Sequence, residues 1–166
     1  MDEEATMRPA AHTHLATEAE MISFGASLGA SLRPGDVVLL NGDLGAGKTT
    51  LARAMIRAHF DEPIETPSPT FTLVQTYEAA FQITHADLYR LGDPSELIEL
   101  GLEEAFEEGV AIIEWPDRLG EMTPRRHLSL EISFADDGGR DIAMRAAGED
   151  WDHLRILSAH AGEEAS

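Results

Sequence analysis

The segment "NGDLGAGKTT" (residues 41–50) constrains the fold more than any other part of the sequence. Gly42, four further residues and then Gly47, Lys48 and Thr49 make the G-x-x-x-x-G-K-[ST] pattern of a phosphate-binding loop, or Walker A motif. A short apolar run typical of a buried strand precedes it, and apolar residues at helical spacing follow it. Strand, glycine-rich loop and helix stand in the order that such a loop requires. This order predicts an α/β protein with a phosphate site at the start of a helix.

The residue types in the loop predict what it binds. Gly42, Gly45 and Gly47 allow the backbone to pass close to phosphate oxygens, and the loop N–H groups then point at them. The Lys48 ammonium is placed to reach a β- or γ-phosphate, and the Thr49 hydroxyl to ligate Mg²⁺. We therefore predict a nucleoside triphosphate and Mg²⁺ as ligands.

Composition narrows the class of protein. The chain has 166 residues and no cysteine, which excludes disulfides, thiolate catalysis and Cys-based zinc sites. No apolar run reaches the roughly 20 residues of a membrane span, and the acidic first residues "MDEEATMRPA" lack the apolar region of a signal peptide. We expect a cytoplasmic protein without a membrane partner, folded as one domain over residues 1–162 with a frayed tail at 163–166.

The net charge bears on partners. Twelve lysines and arginines stand against 31 aspartates and glutamates, a net charge of −19. An acidic surface repels a phosphate backbone, so any RNA involved should be held by a partner protein. The alternative is that the charge only favours solubility.

The rest of the chain alternates between helical and strand patterns. Helices are predicted at residues 16–32, at 93–109, with Asp93 as N-cap and Pro94 at the first helical position, and at 149–161. Strands are predicted at residues 36–41, 70–77, 81–88 and 110–114, with a hairpin formed by 125–134 and 136–146. These elements predict a P-loop NTPase-like three-layer α/β fold whose mixed sheet has a parallel core and added antiparallel strands.

Two carboxylates stand at strand ends. Asp87 follows "FQITHA" and Glu114 follows "VAII". Since parallel α/β sheets bind ligands at the carboxyl ends of their strands, both can reach a metal on Thr49. One would hold Mg²⁺ and the other would orient or deprotonate the attacking water. The sequence leaves open which does which.

A set of motifs carries a resemblance to a known family. "GDLGAGKTT", "SPTFTLVQTY", "HADLYRL", "DPSELIELGLEE" and "IIEWPDR" follow one another at the spacing of the TsaE (YjeE) family, over about residues 15–147. The resemblance implies a slow Mg²⁺-dependent ATPase of tRNA threonylcarbamoyladenosine biosynthesis that acts with the TsaB–TsaD heterodimer. TsaD, not the ATPase, would transfer the threonylcarbamoyl group to the adenosine beside the anticodon in tRNAs that read codons starting with A.

The resemblance also assigns roles to residues. Asp87 would serve hydrolysis, Glu114 the metal, and Thr70 a switch-like loop that senses the γ-phosphate. The phosphates would be wrapped by Leu44, Gly45, Ala46, Gly47, Lys48 and Thr49. Near the nucleotide it implies Trp115, either Thr17 or Glu18 beside the adenine, and Arg140, for which an ordinary surface hairpin arginine is the alternative.

The sequence also bears on other classes of P-loop protein. A GTPase needs an N-K-x-D motif, which cannot exist here because Lys48 is the sole lysine. A small-molecule kinase would use the same loop with lid arginines, for which Arg118, Arg125 and Arg126 are candidates. A nucleotide-sensing adaptor, whose ATP state only sets partner affinity, is not separated from a slow ATPase by the sequence.

Overall fold

The structure is a computed structural model that describes residues 11–69 and 72–154. A seven-stranded sheet runs through it. The strands are β1 (Ala11–Leu15), β2 (Val37–Asn41), β3 (Val74–Glu78), β4 (Gln82–Asp87), β5 (Val110–Glu114), β6 (His127–Phe134) and β7 (Arg140–Ala147). The helices are α1 (Glu18–Ser31), α2 (Lys48–Arg57), α3 (Glu96–Glu99) and α4 (Leu102–Glu108), with a 3₁₀ segment at Pro116–Met122.

The sheet is mixed, with a parallel core. Its strand order is β1-β7-β6-β2-β5-β4-β3. The central strands β6, β2, β5 and β4 pair in parallel, whereas β7 and β1 at one edge and β3 at the other pair antiparallel. The predicted α/β class, with a parallel core and added antiparallel strands, is therefore confirmed.

Helices cover both faces of the sheet, which makes three layers. Val38 and Leu40 of β2 pack with the buried residues of α1 and α2, while Val37 and Leu39 pack with those of α3 and α4. Strands buried on both faces carry continuous apolar runs rather than alternation, as "VVLL" and "VAII" do. The phosphate loop thus begins from one of the best-buried strands.

Helices α1 and α2 cross closely at two glycines. A Cβ on Gly25 would lie 2.7 Å from Cβ of Ala54, and one on Gly29 would clash with the backbone of Met55. The His59 ring donates through Nε2 to the Gly29 carbonyl at 2.6 Å across the same contact. The absence of side chains at these positions brings α1 against the helix that follows the phosphate loop.

The elements differ from the expectations in three ways. The sequence did not predict β1, whose residues "AHTHL" are too polar to signal a strand but pair with β7. The helix expected over residues 93–109 is two helices that begin at Glu96 and Leu102, because Gly101 between them has a left-handed φ of 75°. Asp93 is not the N-cap of either helix, because Ser95 is the residue that precedes α3. The Asp93 side chain accepts a hydrogen bond from the Ser95 N–H.

The closing segment also differs. Residues 151–154 of the helix expected at 149–161 form a turn, in which the buried Trp151 donates through Nε1 to the Ala147 carbonyl. The remainder of that helix and the tail at 163–166 lie outside the described residues. So does the start of the strand expected at 70–77; β3 begins at Val74.

Candidate functional site

The phosphate loop joins β2 to α2 at the carboxyl end of the parallel strands. Gly45 and Gly47 adopt left-handed φ angles of 83° and 110°, and Gly47 caps the start of α2. A side chain at Gly47 would be strained there and would also meet the sulfur of Met21, 2.7 Å from its Cβ. The positive φ of Gly47 and the lack of space for a Cβ explain why the loop requires glycine at this position.

Lys48 lies inside the curve of the loop. Its side chain is buried, and Nζ donates to the carbonyls of Gly42 at 2.6 Å and Asp43 at 3.0 Å. Burial lowers the pKa of the ammonium, and the charges of Glu114, Asp87 and Asp43 oppose that shift. The single lysine of the chain is thus a cation flanked by carboxylates.

Thr49 and Glu114 meet beside this lysine. The Thr49 hydroxyl lies 3.0 Å from Oε1 and 3.1 Å from Oε2 of Glu114, whose side chain is buried at the end of β5. A hydroxyl and a carboxylate are hard oxygen donors of the kind Mg²⁺ takes. Within residues 11–69 and 72–154 no group of three or more His, Cys, Asp or Glu could hold a metal. The pair suits an ion that takes its other ligands from phosphates and water.

Asp87 is the second carboxylate at this edge. It ends β4 and stands opposite Glu114 in the parallel ladder, so the two side chains leave the same face of the sheet. Asp87 is buried and accepts a hydrogen bond from the Tyr89 N–H at 3.1 Å. The structure thus brings together the two strand-end carboxylates that the sequence singled out.

Trp115 forms a wall of the same site. It has a left-handed φ of 59°, uncommon for a bulky side chain, and directly follows Glu114. Its ring lies 4.3 Å from Nζ of Lys48 and 4.9 Å, centroid to centroid, from the ring of Tyr89. An outlier of this kind next to chemistry-bearing residues is typical of functional sites.

Arg140 and Glu18 lie on the other side of the loop. Arg140 donates through Nε to the Ala46 carbonyl at 2.8 Å and through Nη2 to the Gly45 carbonyl at 3.2 Å. With Glu18 it lines a cavity of about 240 Å³ between the start of α1, the loop and the β6–β7 hairpin. Arg140 therefore contacts the phosphate loop itself, unlike an ordinary surface arginine of the hairpin.

The remaining predicted residues fall as follows. Leu44 is exposed at the tip of the loop. Thr17 lines the same cavity as Glu18, but its hydroxyl caps α1 by accepting from the Glu20 N–H at 3.1 Å. Thr70 lies outside the described residues, so its role stays a prediction.

Sequence reasoning missed His85. It is fully buried on β4, two residues before Asp87, and its Nε2 lies 2.7 Å from Oε2 of Glu114. The signal was present, because period-two alternation puts residues 85 and 87 on one face of the strand. This alternation predicts that the His85 ring lies on the same face of the buried strand as the Asp87 carboxylate.

Comparisons with known proteins identify the family of the chain. The family model "Threonylcarbamoyl adenosine biosynthesis protein TsaE" matches residues 15–142. A tRNA threonylcarbamoyladenosine biosynthesis protein TsaE from Rickettsia bellii is 42% identical over 129 residues, which are 77% of this chain and 90% of that protein. The protein of that name from Bacillus subtilis is 39% identical over 131 residues, 77% of this chain and 81% of its own.

A solved structure shares the fold. The crystal structure of Bacillus subtilis YdiB superposes with a TM-score of 0.73 at 27% sequence identity, covering 95% of this chain and 97% of that one. The resemblance seen in the motifs is thus confirmed along most of the chain. By its sequence and its fold, the chain belongs to the TsaE family of threonylcarbamoyl adenosine biosynthesis proteins.

Proposed function

We propose that this chain is a Mg²⁺-dependent P-loop ATPase that supports threonylcarbamoylation of tRNA, converting ATP and water to ADP and phosphate. The observation that carries the proposal is the contact of Thr49 with Glu114 at 3.0 Å, beside the buried ammonium of Lys48. A metal-ligand pair next to a phosphate-binding cation is what a nucleoside triphosphate with Mg²⁺ requires. The names of the relatives supply the pathway.

Each side chain has a proposed task. Backbone N–H groups of residues 44–49 bind phosphate oxygens, and Lys48 turns from the loop carbonyls to the β- and γ-phosphates. Thr49 and Glu114 would hold Mg²⁺, and the ion would neutralise the charge that develops on the transferred phosphoryl group. The Asp87 carboxylate orients the attacking water and accepts its proton. Glu18, Trp115 and Arg140 border the nucleotide.

The reaction partners follow from charge and family. With a net charge of −19, the chain itself is a poor ligand for tRNA. We propose that the TsaB–TsaD heterodimer holds the tRNA, that TsaD performs the transfer to the adenosine beside the anticodon, and that ATP hydrolysis here lets the complex turn over. We propose that Thr70 senses the loss of the γ-phosphate.

Two of the three arginines of the kinase alternative, Arg118 and Arg126, have other contacts. Arg126 lies 2.9 Å from the carboxylate of Asp36 and donates to the Gly35 carbonyl, before the start of β2 and at the far end of that strand from the loop. Arg118 donates to the Leu91 carbonyl at 3.2 Å. These contacts favour an ATPase over a kinase with a lid. Phosphate transfer from ATP to an added nucleoside or sugar would reverse that preference.

Phosphate release from ATP tests the proposal. We expect slow release by the purified chain with Mg²⁺, faster release when TsaB–TsaD is added, and none from Asp87→Asn, which should still bind ATP. Binding of ATP without release in either condition would instead identify a nucleotide-sensing adaptor.

A Lys48→Ala variant tests the loop. Hydrogen bonds to charged groups contribute about 1.5–3 kcal/mol, so ATP binding measured by calorimetry should weaken about 10- to 100-fold while the fold survives. Arg57→Ala, which removes an exposed cation from the same helix, is the matched control. Unchanged ATP affinity in Lys48→Ala would contradict the proposal.

A further inference from the structure

His85 is a buried polar side chain in an otherwise apolar layer. It stands opposite Ile112 in the β4–β5 ladder, with Ile83 and Val110 one pair further along the same face. Burying an imidazole among such side chains costs free energy unless it is hydrogen-bonded. Its Nε2 lies 2.7 Å from Glu114, whereas no partner of Nδ1 is found among residues 11–69 and 72–154. The ring is therefore tied to the rest of the protein through Glu114.

Glu114 has contacts from two other elements. The Thr49 hydroxyl, at the start of α2, lies 3.0 Å from Oε1 and 3.1 Å from Oε2, and Nε2 of His85, on β4, lies 2.7 Å from Oε2. A carboxylate only accepts, so the His85 ring donates its Nε2 hydrogen to it. The Thr49 hydroxyl is the contact that a metal ion would compete for. His85 belongs to the neighbouring strand β4 and not to the phosphate loop, so its contact can persist when Thr49 and Glu114 turn to the ion.

We propose that His85 is a positioning residue that holds the Glu114 carboxylate in the orientation needed to ligate Mg²⁺. The inference rests on the proposed function, because it assigns Glu114 to the metal. Partners that hold a ligand from behind restrict its rotamers, and their loss typically lowers metal affinity 10- to 100-fold. His85 would contribute to the site without touching nucleotide or ion.

Two amide variants and one apolar variant separate positioning from packing. In His85→Gln the amide nitrogen lies as many bonds from Cβ as Nε2 does, so it can still donate to Glu114. In His85→Asn the amide reaches only the place of Nδ1. His85→Leu fills the space without a donor. Because Gln and Asn bury the same polar group, a difference between them reports on reach and not on polarity.

The readout is binding of the non-hydrolysable analogue AMP-PNP by calorimetry, with Mg²⁺ and with excess EDTA. The dissociation constant in EDTA divided by the dissociation constant in Mg²⁺ measures how much the metal contributes to binding. The measurement requires no turnover. We expect this ratio to fall about 10-fold in His85→Leu and His85→Asn, to recover in His85→Gln, and the EDTA value to stay constant. In a Glu114→Ala background, His85→Leu should change the ratio no further.

The opposing results are distinct. An unchanged ratio in both His85→Leu and His85→Asn, or an equal loss of affinity with and without Mg²⁺, would overturn the positioning role of His85. Wild-type binding that does not depend on Mg²⁺ would overturn the proposed function itself. If His85→Leu fails to fold, as seen by circular dichroism, the comparison of His85→Gln with His85→Asn still decides.

Discussion

At the scale of single residues, two basic side chains donate hydrogen bonds to the carbonyls of the phosphate loop. Lys48 donates to Gly42 and Asp43, and Arg140 donates to Gly45 and Ala46. In a trans peptide unit the C=O and N–H point in opposite directions, so fixing a carbonyl also aims the next N–H. By holding the Ala46 carbonyl, Arg140 orients the Gly47 N–H that a phosphate would use. The loop is thus shaped from outside as well as by its glycines.

Replacement of Arg140 should weaken nucleotide binding by loosening the loop. Two hydrogen bonds at about 1 kcal/mol each predict ATP affinity about 5- to 30-fold lower in Arg140→Ala, measured by calorimetry. Arg145→Ala removes an exposed arginine from the same strand and should leave the affinity unchanged. Equal affinities in the two variants would show that the Arg140 contacts do not organise the loop.

At the scale of elements, the position of α1 depends on two glycines and on β1. Gly25 and Gly29 let α1 approach α2. Strand β1, which precedes α1 in the chain, pairs with β7. The cavity that contains Glu18 and Arg140 lies between these elements. Packing remote from the loop therefore decides the shape of this part of the site.

Adding a methyl group at Gly29 should push the two helices apart. Overpacking of this kind typically costs about 1–3 kcal/mol, so Gly29→Ala should lower the free energy of unfolding by that amount in urea titrations. Gly92→Ala, whose Cβ would meet only the Glu96 carboxylate at an ordinary 3.6 Å, is the matched control. A Gly29→Ala protein as stable as the control would contradict the close crossing.

An exposed ion cluster fastens β1 to the hairpin in a pH-dependent way. Both ring nitrogens of His14 lie 2.7 Å from carboxylates, of Asp141 and Asp137, and these hydrogen bonds raise the pKa of His14. The pKa of Asp137 is lowered, chiefly by its hydrogen bond from the Gly139 N–H and secondly by its hydrogen bond with His14. The stabilisation from His14 is present below its unfolded pKa of 6.5 and is lost as pH rises through the higher folded value.

The test compares melting temperatures of wild type and His14→Gln across pH. We expect the wild type to have its advantage at pH values from about 5 to 6.5 and to lose it at alkaline pH. The advantage should also shrink in strong acid, as Asp137 takes up a proton. A difference between the two proteins that stays constant with pH would show that His14 is not charged in the cluster.

At the scale of the whole molecule, the sheet topology brings the parts of the site to one edge. Four parallel strands deliver their carboxyl ends to one edge, and there the loop, Asp87 and Glu114 meet. At the opposite end of β2, Asp36 lies within 2.9 Å of Arg126 and 2.7 Å of His153, which attaches the closing turn. Among the described residues no helix is long and apolar enough to cross a membrane.

The net charge of −19 predicts that the chain alone does not retain tRNA. Because binding to a phosphate backbone depends on lysine and arginine contacts, gel shifts should show no complex at about 10 μM protein, even at low salt where such contacts are strongest. Addition of TsaB–TsaD should produce one. Salt-sensitive binding of tRNA by the chain alone would contradict this division of labour.

The sequence alone determined the phosphate loop, the fold class and the two strand-end carboxylates. These depend on local patterns: glycines at left-handed positions, apolar runs in strands buried on both faces, and charged residues where such strands end. The helix break at Gly101 escaped prediction because an isolated glycine is tolerated within a helical pattern, and its left-handed φ appears only in the structure. Strand β1 escaped prediction because the pairing of a polar segment with β7 is not visible in periodicity.

Only the tertiary structure decided the contacts that join distant parts of the chain. His85 meets Glu114 across 29 residues, and Arg140 meets Ala46 across 94. Such pairs depend on strand order and register, which bring β4 beside β5 and carry the β6–β7 hairpin back to the loop. The kinds of group in the site follow from local sequence, whereas the way they are oriented follows from the sheet, because orientation is set by neighbours that the chain reaches only by folding.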